Sequence, residues 1–294
     1  MFSESEKETI YFFNAGASFL SVLGCIFIIS VYLCFKQLRI FTFRLVIYLT
    51  IIDLLESIFF MIPNFNTESH STQCLVQAVG LTYFCLADIL MVGAIAYSIN
   101  LAVIKEKDIT KYEKCILGFV FGVPGAVAGL PSITGNYGTS QGWCWISQEH
   151  EIMDGYGGFW RLGLFYVPLW IVIVYCVFAY SRIISKIKNQ LHLISEEPGL
   201  SSRILKKLMM YPLILIVCFL PLTAARIYEF FNPDDPYMWL TIVSGVFFSI
   251  NGFLNAILYG FTDMVRKEIF KCCKQDKSCT TGSEVSSNYS LLFK

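Results

Sequence analysis

Among the polar and ionisable residues inside long apolar runs, eight stand out as positions where the chain can do chemistry: Asp53, Glu56, Asp88, Asn100, Arg226, Glu229, Asn251 and Asn255. In hydrocarbon such a group costs several kcal/mol unless it faces protein or water, so each marks a site or a clasp between helices. Counting ~1.5 Å per residue from the end of each run puts Asp53 and Asn251 both roughly 13 Å deep. At matching depth they are placed to share a hydrogen-bond network, either as a static clasp or as a switch, with Asn255, Pro221 and Tyr259 as further candidates. Asp88 and Arg226 fall on the other side of the midplane at depths ~4 Å apart. They are placed to pair with each other or to line a ligand pocket, and Arg226 has a local alternative in Glu229, three residues on.

Redox chemistry is confined to two cysteines. Cys74 opens the third apolar run, and Cys144 lies in the segment Gly142-Trp143-Cys144-Trp145. A disulfide between them would tie the loop before the fifth run to the top of the third; the alternative is two independent cysteines at the membrane interface. Cys25, Cys34, Cys85, Cys115, Cys176 and Cys218 lie within or at the ends of apolar runs and read as packing residues.

The elements that must position these groups follow from composition. With 55% apolar residues, 16% aromatic and 15% charged, and a mean hydropathy of +0.60, the chain is far more apolar than a soluble domain. Apolar runs of spanning length occur at about 11–35, 45–63, 74–104, 115–134, 159–184, 208–231 and 238–261. The expected fold is an all-α membrane protein, a seven-transmembrane helix bundle with a short amphipathic juxtamembrane helix after the seventh span. Its parts are an extracellular N-terminus at 1–10, the bundle at 11–261, an amphipathic helix on the inner leaflet at 262–273 and a disordered cytoplasmic tail at 274–294.

Of the 22 Lys and Arg residues, 19 fall in alternate loops and the C-terminal segment. That predicts an outside N-terminus and a cytoplasmic C-terminus, leaving Lys7, Arg161 and Arg226 on the outer side. Glu4, Glu6 and Glu8 replace the basic start of a signal peptide, so the first span is expected to direct insertion. The longest outer segment, 135–158, reads as an irregular lid held by Cys144. Pro124, Pro131, Pro168, Pro212 and Pro221 are each expected to perturb their helix, and a bend at Pro221 would let one end of span six swing. Cys272 and Cys273, just after the amphipathic stretch, are either S-palmitoylated or left reduced.

Five stretches together resemble the cyclic-AMP-receptor-like (class E) family of seven-transmembrane G-protein-coupled receptors. They are Leu33-Cys34-Phe35-Lys36-Gln37-Leu38-Arg39, Arg44-Leu45-Val46-Ile47-Tyr48-Leu49 with Asp53-Leu54, Trp143-Cys144-Trp145, Tyr211-Pro212-Leu213-Ile214-Leu215, and Gly252-Phe253-Leu254-Asn255-Ala256-Ile257-Leu258-Tyr259-Gly260. The resemblance covers residues 14–270. It implies an extracellular signal, a shift in helix packing and nucleotide exchange on a cytoplasmic heterotrimeric G protein. The rhodopsin-like class fits less well, because span three ends Ile99-Asn100-Leu101-Ala102-Val103-Ile104 without an acidic-Arg-Tyr triplet and span seven lacks Asn-Pro-x-x-Tyr.

The expected partners are that G protein, an extracellular small-molecule ligand and the lipid bilayer, with no nucleic acid and no cofactor, in what is expected to be the plasma membrane. Candidate ligand-binding residues are Asp88, Arg161, Arg226, Glu229, Trp143 and Trp145. The outer acids Glu68, Glu149, Glu151, Asp154, Asp234 and Asp235 would repel an anion. Any anionic ligand would therefore be held by Arg226 and Arg161. Candidate G-protein-facing residues are Lys105, Lys107, Lys111, Arg182, Lys186, Arg203, Lys206 and Lys207, although the positive-inside rule alone also places cations there. Three histidines without metal-ligand spacing, and no nucleophile–base grouping, argue against an enzyme. The competing readings are a structural seven-helix subunit without signalling and, with no internal repeat to support it, a transporter.

Overall fold

The computed structural model describes residues 2–64, 71–140, 142–147, 156–193, 210–232, 237–260, 262 and 265–270. Helix α1 spans Glu4–Cys34, α2 Phe41–Phe60, α3 Thr72–Lys105 and α4 Glu113–Ile133. Strands β1, Tyr137–Ser140, and β2, Trp143–Ile146, follow. Helix α5, Tyr156–Arg161, runs through a π-turn at Leu162–Tyr166 into α6, Val167–Leu193. Helix α7 covers Met210–Phe231, α8 Met238–Ser249 and α9 Asn251–Gly260. Taking α5 with α6 and α8 with α9, the described residues form seven long helical segments, the expected bundle.

Five of the seven are long and apolar enough to cross a membrane on their own. Helix α2 is as apolar as its neighbours but carries three charged residues, Arg44, Asp53 and Glu56, of which Asp53 and Glu56 are buried inside the bundle rather than turned to lipid. Helix α3 is the axis: 67% of its most apolar stretch is buried, against 28% for α4 at the rim. It packs on α2, α4, α6 and both strands.

Local chemistry accounts for the ends. Ser3 and Glu6 form a capping box, the Glu6 carboxylate accepting from the Ser3 N–H at 2.8 Å, so α1 starts at Glu4. The acidic residues of the N-terminal segment 1–10 thus lie in the first helical turns. Ser71 caps α3 by accepting from the Cys74 N–H. At the far end of α3, Glu106 adopts the left-handed conformation at φ 51° that stops the helix.

Two helix breaks occur, one of them next to a proline. Helix α4 runs through Pro124 and Pro131, and α7 through Pro221, as single helices. The π-turn, in contrast, directly precedes Pro168 and widens the chain where that ring removes a backbone donor. The second break, at Ile250, separates α8 from α9 and is bridged from α1: the Ser21 hydroxyl donates to the Ser249 carbonyl (2.6 Å) and accepts from the Phe253 N–H (3.1 Å).

The loop after α4 is not irregular throughout. Strands β1 and β2 pair antiparallel, Tyr137 opposite Ile146 and Thr139 opposite Cys144, with all of β2 buried. Gly142, at φ 123°, adopts a backbone conformation that L side chains rarely reach, and its Cα faces Ile10 of α1. Glu149, His150, Glu151 and Asp154 lie outside the described residues.

The Gly-xxx-Gly pairs of α4 do not pack inside the bundle. A Cβ at Gly118, Gly122 or Gly129 would meet nothing within 4 Å, and at Gly125 it would only touch Tyr83.

Candidate functional site

Three polar groupings lie along the bundle. The first is under the hairpin. Cys74 and Cys144 form a disulfide with a Cα–Cα distance of 5.2 Å, which pins β2 to the start of α3. Gln77, one turn into α3, reinforces it: its Oε1 accepts from the Cys144 N–H at 2.9 Å, and its Nε2 donates to the Phe59 and Ile62 carbonyls at the end of α2. Gln77 thus ties three elements together, and in the sequence it was one polar residue among many at a helix start.

Fixed in this way, β2 presents Trp143 and Trp145 to two guanidinium groups. Arg226 of α7 stands 5.4 Å from the Trp143 ring and 5.7 Å from that of Trp145, and Arg161 of α5 is 5.7 Å from Trp145. Both arginines address one carboxylate. Arg226 Nη1 donates to Glu229 Oε2, while Arg161 Nη1 stands 3.9 Å from the same oxygen. Arg161 also donates to the Ile146 carbonyl and to Ser140 Oγ at 2.7 Å, joining α5 to both strands. All three charged side chains are less than a tenth exposed. Two buried cations on one anion leave a net positive charge, and Nε and Nη2 of Arg226 make no hydrogen bond among the described residues. The Tyr166 hydroxyl faces them.

The second grouping is in the middle of the bundle. Asn251 Nδ2 donates to Asp53 Oδ1 at 3.1 Å and to Asp88 Oδ2 at 3.3 Å, and Asn255 Nδ2 donates to Asp53 Oδ2 at 2.9 Å. The expected link between spans two and seven is present. Asp88, however, joins this network and not Arg226. Counting rise from the helix ends assumes that all helices end at one depth, and α3 does not, since its Asp88 lies level with Asn251. The ligand-site candidates therefore divide, with Asp88 in the middle and Arg161, Arg226, Glu229, Trp143 and Trp145 under the hairpin. Tyr259 is fully buried one turn beyond Asn255, its ring edge-on to Phe43 at 5.1 Å.

The third grouping is at the lysine-rich end. Arg44 holds Glu113 through two hydrogen bonds of 2.9 and 2.6 Å, and Tyr48 donates to the same carboxylate at 2.9 Å, which fixes the start of α2 against the start of α4. Asp108, in the loop between α3 and α4, is held below its usual range by hydrogen bonds from the Thr110 hydroxyl and N–H.

Lys105, Lys107 and Lys111 are exposed, and Arg182 stands over Phe178 at 5.6 Å. Lys186 is not a free rim cation. Its Nζ donates to the Val103 carbonyl (2.6 Å), the Ile104 carbonyl (3.3 Å) and Glu106 Oε1 (3.0 Å), closing the negative end of α3 from α6. Beside it opens a cleft of about 550 Å³ lined by Ile104, Phe178, Arg182, Ser185, Lys186 and Asn189. Arg203, Lys206, Lys207, Cys272 and Cys273 lie outside the described residues.

Removing the Lys186 cap has a local consequence. Lys186→Met is expected to cost about 1 kcal/mol at the end of α3. Amide exchange around 101–107 should then rise roughly fivefold, and unchanged exchange there would show that the cap contributes nothing.

The arrangement is a seven-helix bundle with a disulfide-anchored hairpin over a buried charged cluster, as expected of a multi-pass membrane protein. The family model for the slime mold cyclic AMP receptor matches residues 1–271, and the chain belongs to that family. Among its relatives is G-protein coupled receptor 1 of Arabidopsis thaliana, 31% identical over 90% of this chain and 81% of the relative. Cyclic AMP receptor-like protein A of Dictyostelium discoideum is 25% identical over 93% of this chain and 71% of its own length. Cyclic AMP receptor 4 of the same organism is 28% identical over 83% of this chain and 55% of its own.

Proposed function

We propose that this protein is a G-protein-coupled receptor that binds an anionic small molecule beneath the hairpin and activates a heterotrimeric G protein at its lysine-rich end. In this reading the hairpin end is extracellular and the C-terminus cytoplasmic, as the distribution of Lys and Arg requires, and the receptor resides in the plasma membrane. The carrying observation is the buried pair of arginines on one carboxylate, with Arg226 donors left over. An entering anion would take these donors and draw Arg226 away from Glu229. Because Arg226 lies on α7 and Arg161 on the segment leading into α6, the ligand would bias the two helices against each other. Cyclic AMP, which names several of the relatives, carries one phosphate charge and is the first compound to try.

The test is calorimetric titration of the purified full-length protein with a panel of anionic small molecules, cyclic AMP among them. A bound member is expected to lose roughly tenfold to a hundredfold in affinity in Arg226→Ala, the scale of a lost charge-assisted hydrogen bond. Unchanged affinity in that variant would remove Arg226 from the ligand site and the anionic class with it.

A further inference from the structure

The middle of the bundle holds three carboxyl groups and no base. Asp53 is 2% exposed, Glu56 5% and Asp88 0%. The titratable groups facing them from the packed helices are thiols: Cys25 of α1, Cys85 of α3 and Cys218 of α7. The other facing groups, Asn251 and Asn255 of α9, are neutral amides. Among the described residues no arginine, lysine or histidine enters this layer, and three negative charges in it would stand uncompensated.

The hydrogen bonds show how the layer is arranged. Asp53 accepts from both asparagines, one on each oxygen, and Asn251 Nδ2 also donates to Asp88 Oδ2 at 3.3 Å, so the two carboxyl groups flank one amide nitrogen while Asp88 Oδ1 is buried without a hydrogen-bond partner among the described residues. Two carboxylates so placed would repel, which favours a proton on one of them. A second observation points to the same place. A cavity of about 10 Å³, roughly the room of one water, is lined by Asp53, Glu56, Ser249 and Asn251. The Glu56 Oε2 and Ser249 Oγ atoms are buried without hydrogen-bond partners. Ser249 is 5% exposed and ends α8 at the break before Asn251.

We propose that Asp53 and Asp88 form a proton-binding site whose one shared proton, exchanged with water through the small cavity at Glu56 and Ser249, locks α2, α3 and α9 together. Release of the proton leaves two adjacent carboxylates in a buried layer, which drives the helices apart. Uptake restores the clasp. The site is independent of which ligand sits under the hairpin.

The experiment uses the full chain in phosphatidylcholine nanodiscs. Infrared spectra at pH 7 in H2O and D2O are compared between the native protein and Asp88→Asn, an isosteric change whose amide donates without titrating. A carboxylic-acid C=O band that shifts in D2O and is lost in Asp88→Asn is the expected result. A native spectrum without that band, or one unchanged in the variant, overturns the site. Stability gives a second readout. The folded chain binds a proton that the unfolded chain releases, so stability falls as pH rises. Between pH 6 and 9 the native unfolding constant should rise about tenfold more per pH unit than that of Asp88→Asn, the effect of one proton. Equal slopes overturn the proposal. Replacing sodium by choline at constant ionic strength adds an arm: stability that depends on sodium with no carboxylic-acid band assigns the cavity to a metal ion and overturns the proton. If Asp88→Asn does not fold, Asp53→Asn takes its place, and absence of the band from the native protein is by itself sufficient to overturn the site.

Discussion

Breaking the Cys74–Cys144 bridge by the double change Cys74→Ser, Cys144→Ser is expected to lower the stability of the purified full-length protein by about 4 kcal/mol. The bridge closes 70 residues of sequence separation, and cross-linking a loop of that size removes about this much chain entropy from the unfolded state. For a chain of this length that corresponds to a fall in Tm of roughly 10 °C. The loss is not only entropic. Without the bridge, β2 is held to α3 by the Gln77 hydrogen bond to the Cys144 N–H, and Trp143 and Trp145 are no longer fixed over Arg226 and Arg161. Ligand affinity is therefore expected to fall along with Tm. Tryptophan-fluorescence unfolding of the native protein with and without reductant, beside the double variant, measures the first effect. A change of less than about 1 kcal/mol would show that the hairpin is held by its other contacts.

The second large effect is at Asp53. Asp53→Ala removes the acceptor for Asn255 and one of the two acceptors for Asn251, in a buried layer of the bundle. A buried donor left unpaired costs about 1–3 kcal/mol, and the missing side chain adds a cavity. A loss of about 3 kcal/mol is expected. Asp53→Asn keeps the shape and one acceptor and should cost under about 1 kcal/mol. The comparison separates the network from mere packing: equal losses in the two variants would mean that the hydrogen bonds of Asp53 do not hold α2 to α9.

Much of this was readable from residue types alone. Spanning length and apolarity located the seven segments, because no soluble core needs twenty consecutive apolar residues. Intramembrane polar residues located both central groupings, because hydrocarbon tolerates such residues only for a reason. Pairing among them was less accessible. Depth along an ideal helix placed Asp53 with Asn251 correctly, yet it set Asp88 beside Arg226. The depth at which each helix ends leaves no mark in its periodicity, and Asp88 of α3 lies level with Asn251 instead. Ser21, which bridges the break at Ile250, is one of several serines in apolar runs and carries no distinguishing pattern. Gln77 and the hairpin were missed for a similar reason: a four-residue strand of Trp-Cys-Trp-Ile reads equally well as loop or interface. Lys186 was assigned to the lysine-rich rim by charge, whereas its partners are α3 carbonyls that every helix end offers.

The central claim is that this chain transmits a signal across the membrane to a G protein. Guanine-nucleotide exchange by a heterotrimer from the same organism, co-reconstituted with the full-length protein, tests it most directly. Exchange is expected to accelerate in the presence of the protein, to change further with one anionic member of a panel that includes cyclic AMP, and to lose that second change in Arg226→Ala. Exchange that proceeds at the same rate with and without the folded protein, across the whole panel, would contradict it and leave a seven-helix subunit with no signalling role.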